Sequence, residues 1–252
     1  MIAWLKTTLF ALVVLAAPLA AVWLAMHTIP RETHAVSDRL AQFGSEARTR
    51  LLPHFLRAGV AYPPVKVVLV GLKEERRLQV YAAGHDGKLR FITDRPIFAA
   101  AGGPGPKLRS GDRQVPEGIY PIRYLNPNST AYVSLMLGYP NAFDRARAKE
   151  DGRLNLGGDI VVHGPTPGTA GCIALGERSV EDVFTLVADS GVGNAHIILA
   201  PHDLRRRDAP EPAKGLPWVK ALYTTISEDL GKLPYPTGSG SPTGSAMPSA
   251  AR

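Results

Sequence analysis

Residues 65–93, VKVVLVGLKEERRLQVYAAGHDGKLRFIT, decide how the rest of the chain is read. The run VKVVLVG (65–71) is apolar and has the length of a buried strand. In RLQVYAA (77–83), Leu78, Val80 and Ala82 alternate with Gln79 and Tyr81, the two-residue period of a pleated strand. Asp86-Gly87 follows and leads into KLRFIT (88–93). Both residues tolerate positive φ, so the pair predicts a two-residue hairpin. Further strand-like runs are IYPIRY (119–124), AYVSLML (131–137), DIVVHG (159–164) and NAHIILA (194–200). No long helical pattern interrupts the strands between 65 and 164. The expected fold class is therefore mainly β with a few helices, the core mostly antiparallel.

Helical spacing occurs on either side of this block. In HAVSDRLAQFGSEARTRLL (34–52), Leu40, Phe43, Ala47 and Leu51 recur at helical intervals, and Pro53 is expected to end or kink the helix. In SVEDVFTLVADSG (179–191), Val180, Val183, Phe184 and Val187 form one apolar face. Ser179 is the expected N-cap and Gly191 the stop. Residues 215–230, GLPWVKALYTTISEDL, read as a further helix. The stretch 100–118 is a loop rich in Gly and Pro, and 234–252 is Pro/Gly/Ser-rich and expected to be disordered.

The amino-terminal TTLFALVVLAAPLAAVWLAM (7–26) carries no charge and is long enough to span a bilayer core at helical rise. Lys6 precedes it, and no clean A-x-A site precedes His27, so an uncleaved signal anchor with its carboxyl side exported is expected. A cleaved signal peptide and a soluble periplasmic domain is the alternative. The expected organisation is a signal anchor (1–30), a helical stalk (31–62), a catalytic domain (63–204), a helical extension (205–233) and a disordered tail (234–252). A formal charge of +7 suits an anionic membrane surface or a carboxylate-rich polymer. Export and the lack of any nucleic-acid motif argue against DNA or RNA as a partner.

Export gives meaning to HGPTPGTAGC (163–172), which holds the only cysteine of the chain. An unpaired cysteine in an oxidising compartment points to an intermolecular bridge or a reactive thiol, whereas a buried inert cysteine is the plain alternative. His163 ends a strand-like run nine residues earlier and is placed to act as a base. GTAGC is a small-residue turn whose backbone N–H groups are available to a developing oxyanion. Acyl transfer through a thioester is the chemistry implied. One Cys and one His fall short of the three or four ligands of a zinc site, so neither a metal nor another cofactor is expected.

His163-Gly164 followed by Thr169-Ala170-Gly171-Cys172 resembles the signature of the L,D-transpeptidase (YkuD-type) catalytic domain family. GPGPKLRSGDRQVPEGIYPI (103–122) and LNPNSTAYVSLMLGYPNAFDRA (125–146) extend the resemblance to its YafK-like branch, over roughly residues 63–203. The resemblance implies a YkuD-like β-sandwich behind the N-terminal helix, acting on peptidoglycan stem peptides. Cys172 would attack the carbonyl of the diamino acid, with His163 as base and then acid. Gly171 and the Cys172 N–H would hold the oxyanion, while Thr169 and Gly164 shape the turn. Two positions depart from the wider family: Ala170 replaces a histidine and Ala174 an arginine. Arg145, Asp144 and Arg113 are the candidates for substrate binding in their place. The acceptor is left open between an amine and water, and the branch extends to hydrolases that release a peptidoglycan-linked lipoprotein. A wall-binding module without activity is a further reading.

Overall fold

A computed structural model describes residues 33–211 and 216–236. The expected membrane segment (7–26) and nearly all of the expected tail lie outside these residues. Among the described residues, no helix is long and apolar enough to cross a membrane.

Among the described residues, eight strands carry the fold: β1 (Lys66–Leu72), β2 (Arg77–Ala83), β3 (Arg90–Ala100), β4 (Gly118–Ser129), β5 (Tyr132–Leu137), β6 (Val161–His163), β7 (Ile173–Leu175) and β8 (Ala195–Ala200). They close into a barrel in the order β1-β2-β3-β7-β6-β5-β4-β8. Pairing is antiparallel except at β1–β8 and β6–β7. The mainly β expectation holds, with two local corrections. The β2–β3 connection is a longer turn, closed by Gly87 N–H donating to the Gly84 carbonyl at 3.0 Å, and only Gly87 takes positive φ. The three-residue strand β7 went unread, because IAL is too short to show a period.

The barrel strands present one face to a single apolar core. Leu69, Leu78, Val80, Ile122, Leu135, Val162, Ile173 and Ile197 pack there with Val183, Phe184 and Val187 of the helix Glu177–Ser190. The opposite face of β1 and β8 buries Val68, Val70 and Ile198 against Val219, Leu222, Ile226 and Leu230 of the helix Trp218–Gly231. Each fully buried side chain of this size contributes about 1.5–3 kcal/mol, so both helices are integral to the domain.

The helices are, in chain order, α1 (Val36–Arg39), α2 (Ser45–Ala58), α3 (Ala142–Glu150), α4 (Glu177–Ser190) and α5 (Trp218–Gly231). A π-helical turn, Leu40–Gly44, joins α1 to α2 and puts Phe43 edge-on to Phe184, with ring centroids 5.9 Å apart. Pro53 neither ends nor breaks α2, which runs on to Ala58 and the left-handed Gly59. Pro53 faces solvent, where water can satisfy the carbonyl its ring leaves free, while Leu51 and Phe55 anchor the helix in the core. Helix α2 also docks through charge: Arg50 donates to Asp182 at 2.7 Å and to Glu181 at 2.8 Å on α4. In α4 the cap is Gly176, not Ser179, since Val180 N–H already bonds the Gly176 carbonyl at 3.0 Å.

Candidate active site

The register of β6 and β7 brings the cysteine and the histidine together. These strands are parallel, with Val162 opposite Ile173 and His163 opposite Ala174. One step back, Cys172 falls opposite Val161. Val162 and Ile173 point into the core, so Val161, His163, Cys172 and Ala174 share the other face. Ordinary strand spacing and rise put the Cα atoms of His163 and Cys172 about 8 Å apart on that face.

His163 is buried, and its Nδ1 lies 2.7 Å from the Gly164 carbonyl oxygen. A carbonyl only accepts, so Nδ1 carries the proton and Nε2 keeps its lone pair. Burial holds the imidazole pKa below its ordinary value, and the Gly164 carbonyl opposes this more weakly. The residue is therefore a neutral base with a fixed tautomer.

The supporting carbonyl is itself held by a crowded backbone. Gly164 N–H donates to the carbonyls of Ala131 and Val133, at 3.1 and 3.3 Å. A Cβ at Gly164 would stand 2.6 Å from the Ala131 oxygen and 3.2 Å from the Tyr132 Cβ, which is why glycine is needed here. Tyr132 sits at φ 77°, a conformation rare for an aromatic residue. Its hydroxyl donates to Glu181 at 3.0 Å, its ring meets Phe43, and the Arg39 guanidinium lies 5.4 Å above it.

Cys172 is half-buried, and its thiol donates to the Asp159 carbonyl at 3.6 Å. Burial pushes the thiol pKa up. The Val161 N–H and the Lys107 ammonium pull it down, and the Asp159 carboxylate pushes it further up, but burial prevails. The resting pair is thus a neutral thiol and a neutral imidazole. Gly171 adopts φ 124°, and a Cβ there would lie 2.9 Å from the Gln114 carbonyl oxygen. Among the described residues, the N–H groups of Ala170 and Gly171 have no hydrogen-bond acceptor. Thr169 Oγ1 is buried without a partner beside them.

The other expected residues lie elsewhere. Asp144 is committed within the fold: it accepts from Asn141 N–H at 2.9 Å and from the Tyr120 hydroxyl at 3.3 Å. Arg145 donates to the Pro140 carbonyl and lines a basin of about 530 Å³ with Lys149 and Arg153. Cys172 and His163 do not line that basin. Arg113 is exposed at φ 56°, next to the Gln114 that covers Gly171. Three contributors escaped the sequence reading: the Asp159 carbonyl, the Val161 N–H and Lys107. Asp159 is left-handed, at φ 54°, and the preceding Gly157-Gly158 is the one local hint of a special turn. Lys107 is buried and tied to Asp112 at 2.6 Å, which no periodicity reveals.

A thiol and a tautomer-locked imidazole thus share one face of a closed barrel, with amides that lack an acceptor just before the thiol. Residues 65–198 match the model of the YkuD family, the L,D-transpeptidase catalytic domain, and the chain belongs to that family. The chain is 32% identical over 140 residues to an Escherichia coli (strain K12) protein named "Putative L,D-transpeptidase YafK", covering 54% of each. It therefore spans about half the length of the curated relatives it matches. Among solved structures it is similar to the helical cell shape determining protein Pgp2 from Campylobacter jejuni, at 26% identity and TM-score 0.44, covering 53% of this chain and 47% of that one. It is also similar to Bd1075 of Bdellovibrio bacteriovorus, at 21% identity and TM-score 0.40, covering 66% and 55%.

Proposed function

We propose that this domain is a peptidoglycan-processing cysteine acyltransferase, an L,D-transpeptidase that cuts and rejoins stem peptides at the diamino-acid residue. The observation that carries this reading is the shared face of Cys172 and His163, with His163 Nδ1 bound to the Gly164 carbonyl. In the first half-reaction Sγ attacks the carbonyl carbon as its proton passes to Nε2. The oxyanion is received by the Gly171 N–H, which has no acceptor among the described residues, together with the Cys172 N–H that the family resemblance adds. Collapse breaks the C–N bond, and Nε2–H protonates the leaving amine, which leaves a thioester on Cys172. In the second half-reaction an acceptor amine gives its proton to Nε2 and its lone pair to the thioester carbonyl; collapse breaks the C–S bond, and Nε2–H returns the proton to Sγ. Water in the acceptor's place would make the same site a hydrolase that releases a D-amino acid or a peptidoglycan-linked lipoprotein. We place the domain outside the cytoplasm, held at the inner membrane through residues 7–26; protease accessibility in spheroplasts tests that placement.

Purified protein is expected to turn over diaminopimelate-containing muropeptides, with the mass of the product distinguishing amine from water incorporation. Cys172→Ala or His163→Ala should each lower kcat/KM by at least about 10³-fold with thermal unfolding unchanged. Near-normal activity in both variants would overturn the reading.

A further inference from the structure

Two β-bulges flank the strands that carry the candidate catalytic pair. On β4, Ile122 pairs with Leu137 and Tyr124 with Met136, so Arg123 is the extra residue. Ile122 and Leu125 both face the core, which turns Arg123 and Tyr124 together to the opposite face. On β3 the same device leaves Phe98 unpaired between Ile97 and Ala99, and Phe98 is 60% exposed.

The registers then define two rows across the catalytic face. One contains Asn126, Ser134, His163, Ala174 and Ala99, in which Ser134, His163 and Ala174 are covered. The other runs Tyr124–Met136–Val161–Cys172 and is open: Tyr124 is 50% exposed, and the remaining three are half-buried. Three strand spacings give this row a length of about 14 Å, roughly four residues of extended peptide.

Arg123 stands at the far end of the open row. It is exposed and, among the described residues, has neither a carboxylate within ion-pair distance nor a hydrogen-bond acceptor. This contrasts with Arg50, Arg95 and Arg205, each of which is held by carboxylates. Arg145 is occupied by a backbone carbonyl, and Arg113 lies on a loop off the row. A guanidinium is a planar fork suited to a carboxylate, and an exposed tyrosine beside it offers a flat surface to the peptide chain.

We propose that Arg123 is a specificity residue that binds a free, non-reacting carboxylate of an anionic peptide substrate, with the peptide lying along Tyr124, Met136 and Val161 toward Cys172. This assignment rests on the acyl-transfer reading of the site and names the chemistry the site selects.

Affinity and turnover separate the two ideas. In the Cys172→Ala background, the Kd of a diaminopimelate-containing tetrapeptide is measured by calorimetry, alongside the same peptide with its non-reacting carboxylates amidated. Adding Arg123→Gln should weaken binding of the acidic peptide roughly five- to twentyfold and leave the amidated one unchanged, with Arg123→Lys intermediate. With Cys172 restored, Arg123→Gln should raise KM by a similar factor at unchanged kcat. Equal Kd values for the acidic peptide with and without Arg123, in proteins of equal melting temperature, would overturn the proposal whatever the turnover. Arg123-dependent binding with no turnover by the intact protein would overturn the acyl-transfer reading and leave the carboxylate site standing.

Discussion

At the scale of single residues, the resting protonation states set the pH behaviour. In the proposed mechanism His163 must be neutral to act as a base, and its pKa is held below the usual 6.5. The Cys172 thiol must still hold its proton, and its pKa is pushed above 9.0. We expect kcat/KM to rise through an acid limb below pH 6.5 and stay level to beyond pH 9. A preformed thiolate–imidazolium pair would instead show its acid limb set by a low thiol pKa. Alkylation of Cys172 by iodoacetamide, followed by mass spectrometry, should be slower at pH 7 than for a free cysteine and should accelerate only at alkaline pH. Fast labelling at neutral pH would show that the thiol is already ionised. The pairing of Cys172 with His163 was legible in the sequence because one signature contains both. The Gly164 acceptor and the Asp159 carbonyl are backbone groups, and backbone orientation leaves little trace in side-chain identity.

Elements show where pattern reading succeeds and where it stops. The strands β1, β2 and β5 were legible because apolar side chains mark their buried face. Helix α3 was missed because only Asp144 and Ala148 of its residues are buried, too few to draw an apolar stripe. Its start is fixed by a reciprocal cap, Asn141 with Asp144. The bulges at Arg123 and Phe98 were also invisible, since an extra residue in a strand changes pairing and not composition. Burial raises the Asp144 pKa from 3.8 to about 6. A raised carboxylate pKa means the folded state binds more protons than the unfolded one between these values. Its contribution to stability is thus full below pH 3.8 and lost as pH rises through 6, on the order of 3 kcal/mol at most. Asp144→Asn should flatten the dependence of unfolding free energy on pH in that window, measured by urea titration. On α2, Arg50→Met would leave Glu181 and Asp182 with fewer partners in a buried setting. A loss of about 2–4 kcal/mol is expected by the same measurement.

For the molecule as a whole, the helix expected as a stalk lies against the barrel, and the described residues from Ala35 onward form one compact unit. Phe43, Ala47, Leu51 and Phe55 are each at most 4% exposed. A chain beginning at Ala61 would lose their burial, several kcal/mol out of a total that is about 5–15 for most domains. Such a truncation should be insoluble or molten by near-UV circular dichroism, whereas one beginning at Ala35 should unfold in a single transition. The closed seam of the barrel has a further consequence, for the order of events in folding. Strand β1 pairs with β8, so Val67 meets Ala195, its partner across most of the domain's sequence. Loop closure over such a separation is slow, and topologies of this kind fold in milliseconds to seconds. During synthesis the barrel stays open until β8 has emerged. The β6–β7 ladder that carries His163 and Cys172 is made earlier in the chain but gains its full support only when that last strand docks.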